Sequence, residues 1–217
     1  MSNSSEIKLN VNDKQVNAYL ANGGGAGILL LHAWWGLKPF FKQFCDRLAA
    51  QGFTVLAPDM RDGQIAATID EAKALMEKSD GEFVGDVVLA AKEHLRGMVA
   101  GKIGLVGFSM GAGWALIVAA AEGEQIGATV LFYGNEYADY GKITSKVIGH
   151  YSDNDEWEPN EYVDNTFAEF KKAGVDATLH IYPGVAHWFV ESDRPEYDSA
   201  AAQLAWDRTI EFLKKNL

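Results

Sequence analysis

A single cysteine, Cys45, stands in 217 residues, so no internal disulfide can staple this fold. Its surroundings, FFKQFCDRLAA, space apolar residues as on the buried face of a helix, and Cys45 reads as a core residue rather than a nucleophile. Basic side chains are scarce as well. Nineteen Lys and Arg against 30 Asp and Glu leave a net charge of −11, a surface that does not attract nucleic acid or anionic membrane. No uninterrupted apolar run reaches the roughly 20 residues of a membrane span, and the opening MSNSSEIKLN has no apolar stretch flanked by positive charge. The expectation is a cytoplasmic protein without nucleic-acid or membrane partners. Repeats, low-complexity tracts and linkers are missing too, and 217 residues that are 48% hydrophobic suit one α/β domain over 1–217.

What the chain does have is a stretch around which the rest is organised, KIGLVGFSMGAGWALIVAAA from Lys102 to Ala121. An apolar, strand-like run ends in Gly107-Phe108-Ser109-Met110-Gly111, and an Ala-rich segment of high helix propensity follows at once. Gly-x-Ser-x-Gly between strand and helix is a nucleophile elbow, a strained turn that lifts a serine hydroxyl above the end of a sheet. Side chains at Gly107 and Gly111 would block the close approach of helix to strand.

Around it, the pattern predicts short strands at Glu6 to Asn10 and Val16 to Leu20, an antiparallel hairpin turning at Asn12-Asp13. Strands follow at Gly27 to Leu31, Phe53 to Ala57, Ala128 to Tyr133, Lys146 to Tyr151 and Asp176 to Tyr182. Helices are predicted at 40–51, 68–78, 81–96, 161–173 and 198–216. Strands alternating with helices of this length imply a mainly parallel sheet with helices on both faces.

Ligand sites in such sheets form at the carboxyl ends of strands. That filter picks out Ser152-Asp153-Asn154-Asp155-Glu156-Trp157-Glu158-Pro159 and Pro183-Gly184-Val185-Ala186-His187-Trp188-Phe189. A serine hydroxyl needs a base to take its proton, and histidine serves best when a carboxylate fixes its tautomer. Ser109, an aspartate and His187 fall in the chain order of the α/β-hydrolases.

The stretches GILLLHAWWG, GFSMGAG, DNDEWEP and YPGVAHWF together resemble the dienelactone hydrolase family, over nearly the whole chain. The resemblance implies the α/β-hydrolase fold and hydrolysis of esters or lactones without cofactor or metal. By family position the nucleophile is Ser109, the base His187 and the acid Asp155, four residues before Pro159, with Asp153 as the competing carboxylate. The oxyanion hole falls to the backbone N–H groups of Met110 and Trp34. The founding members place cysteine where Ser109 stands and a controlling glutamate where Ala33 stands, two changes that agree with each other. Their carboxylate-binding arginines are replaced by Gly63 and Glu191, which points to small, uncharged substrates; Arg61 and Arg194 read as surface residues. His32 opens the oxyanion loop and reads as packing rather than catalysis.

Trp34, Trp35, Trp157 and Trp188 fall at strand ends near the proposed site, and Trp35, Trp157 and Trp188 are expected to wall the substrate pocket. Nucleotide binding fits poorly, because the elbow glycines match neither G-x-G-x-x-G nor a P-loop, and a calcium loop from Asp153 fails where Trp157 and Glu158 stand. A non-catalytic binding protein on the same fold, or an acyl transferase or haloperoxidase-like enzyme using the same triad, are the competing readings. The expected partner is a small-molecule ester or lactone, and the expected assembly a monomer or small homo-oligomer.

Overall fold

The structure, a computed structural model, describes residues 3–217. The chain divides into two compact units, residues 1–103 and 104–217.

The first unit opens with β1 (Asn3–Val11) and β2 (Lys14–Asn22), a hairpin in full antiparallel register from Asn3 opposite Asn22 to Val11 opposite Lys14. Its two-residue turn places Asn12 and Asp13 at φ 46° and 63°, the left-handed pair that matches the twist of the flanking strands. β3 (Gly27–Leu31) and β4 (Thr54–Pro58) pair in parallel, and β4 also runs antiparallel to β2, giving the order β1-β2-β4-β3. Every residue of β3 and β4 is buried, as expected of strands covered on both faces.

Three helices complete this unit: α1 (Pro39–Ala50), α2 (Ile69–Glu77) and α3 (Gly81–Arg96). α1 begins with proline, whose missing N–H is no loss at a helix start, and its buried face carries Phe40, Phe41, Phe44, Cys45 and Leu48. Cys45 is fully buried, and that burial raises its thiol pKa, so it packs as a small apolar side chain. α2 starts with a reciprocal capping box between Thr68 and Glu71, and α3 with the Asp80 carboxylate accepting the N–H groups of Glu82 and Phe83.

The second unit holds β5 (Ile103–Phe108), β6 (Ile126–Phe132), β7 (Lys146–Ser152) and β8 (Ala177–Tyr182) in the order β5-β6-β7-β8; β6, β7 and β8 run parallel. α4 (Met110–Glu122) follows β5 and packs on β6; it is buried nearly all round, which explains its lack of polar residues before Glu122. α5 (Asn160–Ala173) ends at Gly174 in a left-handed cap, and α6 (Ser199–Asn216), capped by Asp198, packs on β6 and β7. On one side of this sheet four rings stack across successive strands: Phe108 on Phe132 at 4.5 Å, Phe132 on His150 at 4.9 Å, His150 on His180 at 5.7 Å. His150 is fully buried, with Nδ1 on the Tyr182 hydroxyl at 2.8 Å and Nε2 on the Thr209 hydroxyl at 3.1 Å, which ties α6 to the sheet.

Candidate active site

Ser109 lies between β5 and α4 at φ 50°, ψ −116°, a conformation that non-glycine residues rarely adopt. Two contacts hold it there. Its N–H donates to the Phe132 carbonyl on β6 at 2.8 Å, and its own carbonyl accepts from Ala112 N–H at 2.8 Å. Gly107 is required for sterics, since a Cβ there would meet Gly111 O at 2.3 Å and Ala112 Cα at 2.6 Å, both rigid backbone. The serine hydroxyl is thereby fixed by the sheet on one side and the helix start on the other.

His187 follows β8 on the turn Pro183–Ala186, and its side chain is 3% exposed. Its Nε2 is 3.1 Å from Ser109 Oγ, and its Nδ1 is 2.9 and 2.8 Å from the two oxygens of Asp155. Asp155 follows β7. Besides the imidazole, its Oδ1 accepts the N–H groups of Trp157 and Glu158 at 2.8 and 2.9 Å, and Oδ2 accepts the Ser152 hydroxyl at 3.2 Å. Burial alone would raise the pKa of this carboxyl. The hydrogen bond and charge of His187, with the two backbone N–H donors, outweigh burial and hold it below the ordinary aspartate value. A carboxylate so held accepts the Nδ1 proton and leaves Nε2 as the acceptor that faces the Ser109 hydroxyl.

Asp153, the competing carboxylate, is exposed and turned elsewhere, accepting the Gly184 N–H at 2.7 Å. Met110 is the first residue of α4, and Trp34 lies in the loop after β3. The tryptophans divide by burial. Trp35 is 1% exposed with the Lys38 ammonium 5.5 Å from its ring, while Trp157 is 40% exposed and packs on Trp188 at 5.5 Å and His187 at 6.5 Å. Trp188 is buried, at φ 64°, edge-on to His187 at 4.8 Å. His32 is buried, with Nδ1 donating to Ala33 O and Nε2 accepting Met60 N–H; burial lowers its pKa to about 4, so it stays a neutral packing group.

Two expectations need correction. Arg61 is not a surface residue: it is 5% exposed, with its guanidinium on Ser79 Oγ at 2.7 Å and beside Met76 Sδ, side chains from a distant stretch that cover it, and its N–H donates to Asp59 Oδ1 at 2.9 Å. Arg194 is not freely exposed either; its side chain is 13% exposed, lies 4.9 Å from the Trp188 ring and forks onto Glu196. Two residues of this neighbourhood, Tyr133 and Asn135, went unread in the sequence. Tyr133, its ring 4.8 Å from His187, donates its hydroxyl to Glu191 at 2.9 Å, while Glu158 accepts from Asn135 at 3.3 and 3.4 Å. Both follow β6, and the strand-end filter, applied there, picks out Tyr133 to Asn135.

Residues 16–217 match the dienelactone hydrolase family, and the chain belongs to it. Membership makes it a hydrolase of ester or lactone bonds. Among its relatives are "Protein usf" of Aquifex pyrophilus and the "Putative carboxymethylenebutenolidase" of Aquifex aeolicus, each 32% identical over 97% of this chain and 98% of the relative. A dienelactone hydrolase-like promiscuous phosphotriesterase from metagenomic libraries shares the fold, with a TM-score of 0.87 at 21% identity over 99% of this chain and 98% of that one.

Proposed function

We propose that the chain is a serine esterase or lactonase in which Ser109 is the nucleophile, His187 the base and Asp155 the acid. The observation that carries this reading is the unbroken run of hydrogen-bond distances from Ser109 Oγ through His187 to the Asp155 carboxylate. As Oγ bonds to the acyl carbon, its proton passes to Nε2, and the C–O bond to the leaving alkoxide then breaks as that proton is returned to it. Water repeats the cycle on the acyl-enzyme and releases the acid. The Met110 N–H, at the start of α4, is suited to the oxyanion, and Trp34 N–H carries over from the family position as the second donor.

The substrate reading is a small, uncharged ester or lactone, supported by Gly63 and Glu191 at the family's carboxylate-binding places and by the apolar faces of Trp157 and Trp188 beside His187. A family match from residue 16 to 217 supports treating the whole chain as one catalytic domain. The buried thiol of Cys45 and the strongly acidic surface fit a cytoplasmic enzyme.

The test is labelling by a fluorophosphonate probe together with turnover of aryl esters graded in acyl length. Ser109→Ala is expected to lose labelling and about four to six decades of rate while keeping its melting temperature. Labelling that persists at another residue overturns the assignment.

A further inference from the structure

Directly beyond β6 the chain makes a corner that its local sequence does not favour. Tyr133 sits at φ 38°, in the left-handed region where a bulky residue is strained and glycine would be at ease. Yet the corner is tightly built. Tyr133 N–H donates to His150 O at 2.9 Å, and a Cβ on the following Gly134 would lie 2.2 Å from the carbonyl oxygen of Ser109. The corner therefore presses against the nucleophile's own backbone. Strain held in place this firmly by surrounding contacts marks a residue kept for its side chain.

That side chain reaches the base. The Tyr133 ring is fully buried, with its centroid 4.8 Å from that of His187 and tilted by 58°, and its hydroxyl donates to Glu191 Oε1 at 2.9 Å. Glu191 is itself fully buried, on the turn that begins at His187: its N–H donates to Trp188 O and its carbonyl accepts from Arg194 N–H. We propose that Tyr133 and Glu191 form a positioning pair for His187, in which the buried Glu191 carboxylate, relayed through the Tyr133 ring, steadies the imidazolium formed when Ser109 gives up its proton. The inference rests on the triad reading above.

The chemistry runs in one direction. A carboxylate that accepts a phenol O–H polarises it and enriches the ring, and an electron-rich ring within about 6 Å of a cation attracts it. Burial, then the charge of Glu191, push the Tyr133 pKa well above its ordinary value, so the phenol remains a neutral donor. Asp155 lies on Nδ1 of His187 and Ser109 on Nε2; of the other charged groups, Glu158 gives its backbone N–H to Asp155, Asp193 acts on Tyr133 by its charge, and Arg194 lies over Trp188. Asp155 serves one edge of the imidazole, and the Tyr133–Glu191 pair serves its ring.

The experiment compares Tyr133→Phe and Glu191→Gln with the unaltered enzyme. The first keeps the ring and drops the hydroxyl; the second keeps size and a hydrogen-bond acceptor but removes the charge. Both are expected to shift the acid limb of kcat/KM down by about one pH unit and to lower plateau kcat by up to about tenfold, with KM within about twofold. The His187 imidazole, followed by NMR in the same variants, is expected to titrate lower by the same amount. An unmoved acid limb and NMR titration, even with a lower melting temperature, make the pair purely structural and overturn the proposal. Should one variant fail to fold, the other carries the same two readouts. Turnover retained by Ser109→Ala is a separate result, which removes the triad itself.

Discussion

Asp153 and Asp155, two residues apart, grip the loop that carries His187 at different points: Asp153 accepts the Gly184 N–H at 2.7 Å, and Asp155 meets the His187 ring at 2.8 Å. One carboxylate anchors the turn's backbone and the other addresses its imidazole. Their sequence neighbourhoods are alike, but their burial is not, since the Asp155 side chain is fully covered and Asp153 is exposed.

This division predicts unequal losses. Asp155→Asn keeps the shape but offers Nδ1 an amide that cannot stabilise the imidazolium, and kcat is expected to fall by about four decades. Asp153→Asn retains an acceptor for Gly184 and is expected to change kcat by no more than about threefold. Steady-state kinetics on one aryl ester decides it; the reverse ranking would assign the acid to Asp153.

A second expectation concerns substrate charge. Glu191 stands where the family's founding members use a cation, and Arg61 and Arg194 are engaged with Ser79 and with Glu196 and Trp188. Matched neutral and carboxylate-bearing esters are expected to differ several-fold in kcat/KM in favour of the neutral one. The net charge of −11 widens that gap at low salt, and raising salt narrows it. An anionic ester that wins at low salt and loses its advantage in Arg61→Ala or Arg194→Ala sinks the neutral-substrate reading.

Stability on the acid side is set in part by His150. Burial, then the nearby His180 and Arg208, depress its pKa well below 6.5. A histidine with a depressed folded value contributes stability that is present above about 6.5, the unfolded value, and lost as pH falls toward the folded one. His32, lowered to about 4 chiefly by burial, acts in the same window. Each is expected to remove on the order of 1 kcal/mol per pH unit below that point. Melting temperatures from pH 7 to 5 are expected to fall, and His150→Phe, which keeps the ring stack, is expected to flatten the slope. An identical slope in that variant excludes His150 as a cause.

Glu158 acts in the same window with the opposite sign. Burial, opposed by the Asn135 N–H and reinforced by Asp155, raises its pKa to about 7. A carboxyl with a raised folded value gives stability that is complete below its unfolded value of about 4.5 and lost as pH climbs through 7. Relative to Glu158→Gln, the native protein is expected to lose stability on the order of 1 kcal/mol between pH 6 and pH 8, whatever trend His32 and His150 impose on both proteins. A native-minus-variant difference that is the same at the two pH values contradicts it.

Much of the architecture was legible because it is written in local pattern. Gly27–Leu31 is an unbroken apolar run between glycine-rich turns, and Asn12-Asp13 is a hairpin turn on residue type alone. The three side chains that the structure brings within hydrogen-bond reach were visible because each follows a strand. What stayed hidden depends on neighbours distant in sequence. The antiparallel pairing of β2 with β4 has no local signature, and nothing near Tyr133 announces a left-handed corner, since the backbone of Ser109 and His150 surrounds it. Arg61 read as exposed because cations usually are; only the fold supplies Ser79 and Met76 to cover it.

The tie between Ser109 N–H and the carbonyl of Phe132 has a bearing on how the enzyme is made. The elbow cannot take its strained shape until β6 has been synthesised and docked, and the serine gains its base only when His187, 78 residues further along, has joined it. On the proposed mechanism, a nascent chain carries an inert hydroxyl through most of its translation. Hydrolytic power arrives late, after the sheet of the second unit is assembled, and a chain cut short before His187 is a harmless one.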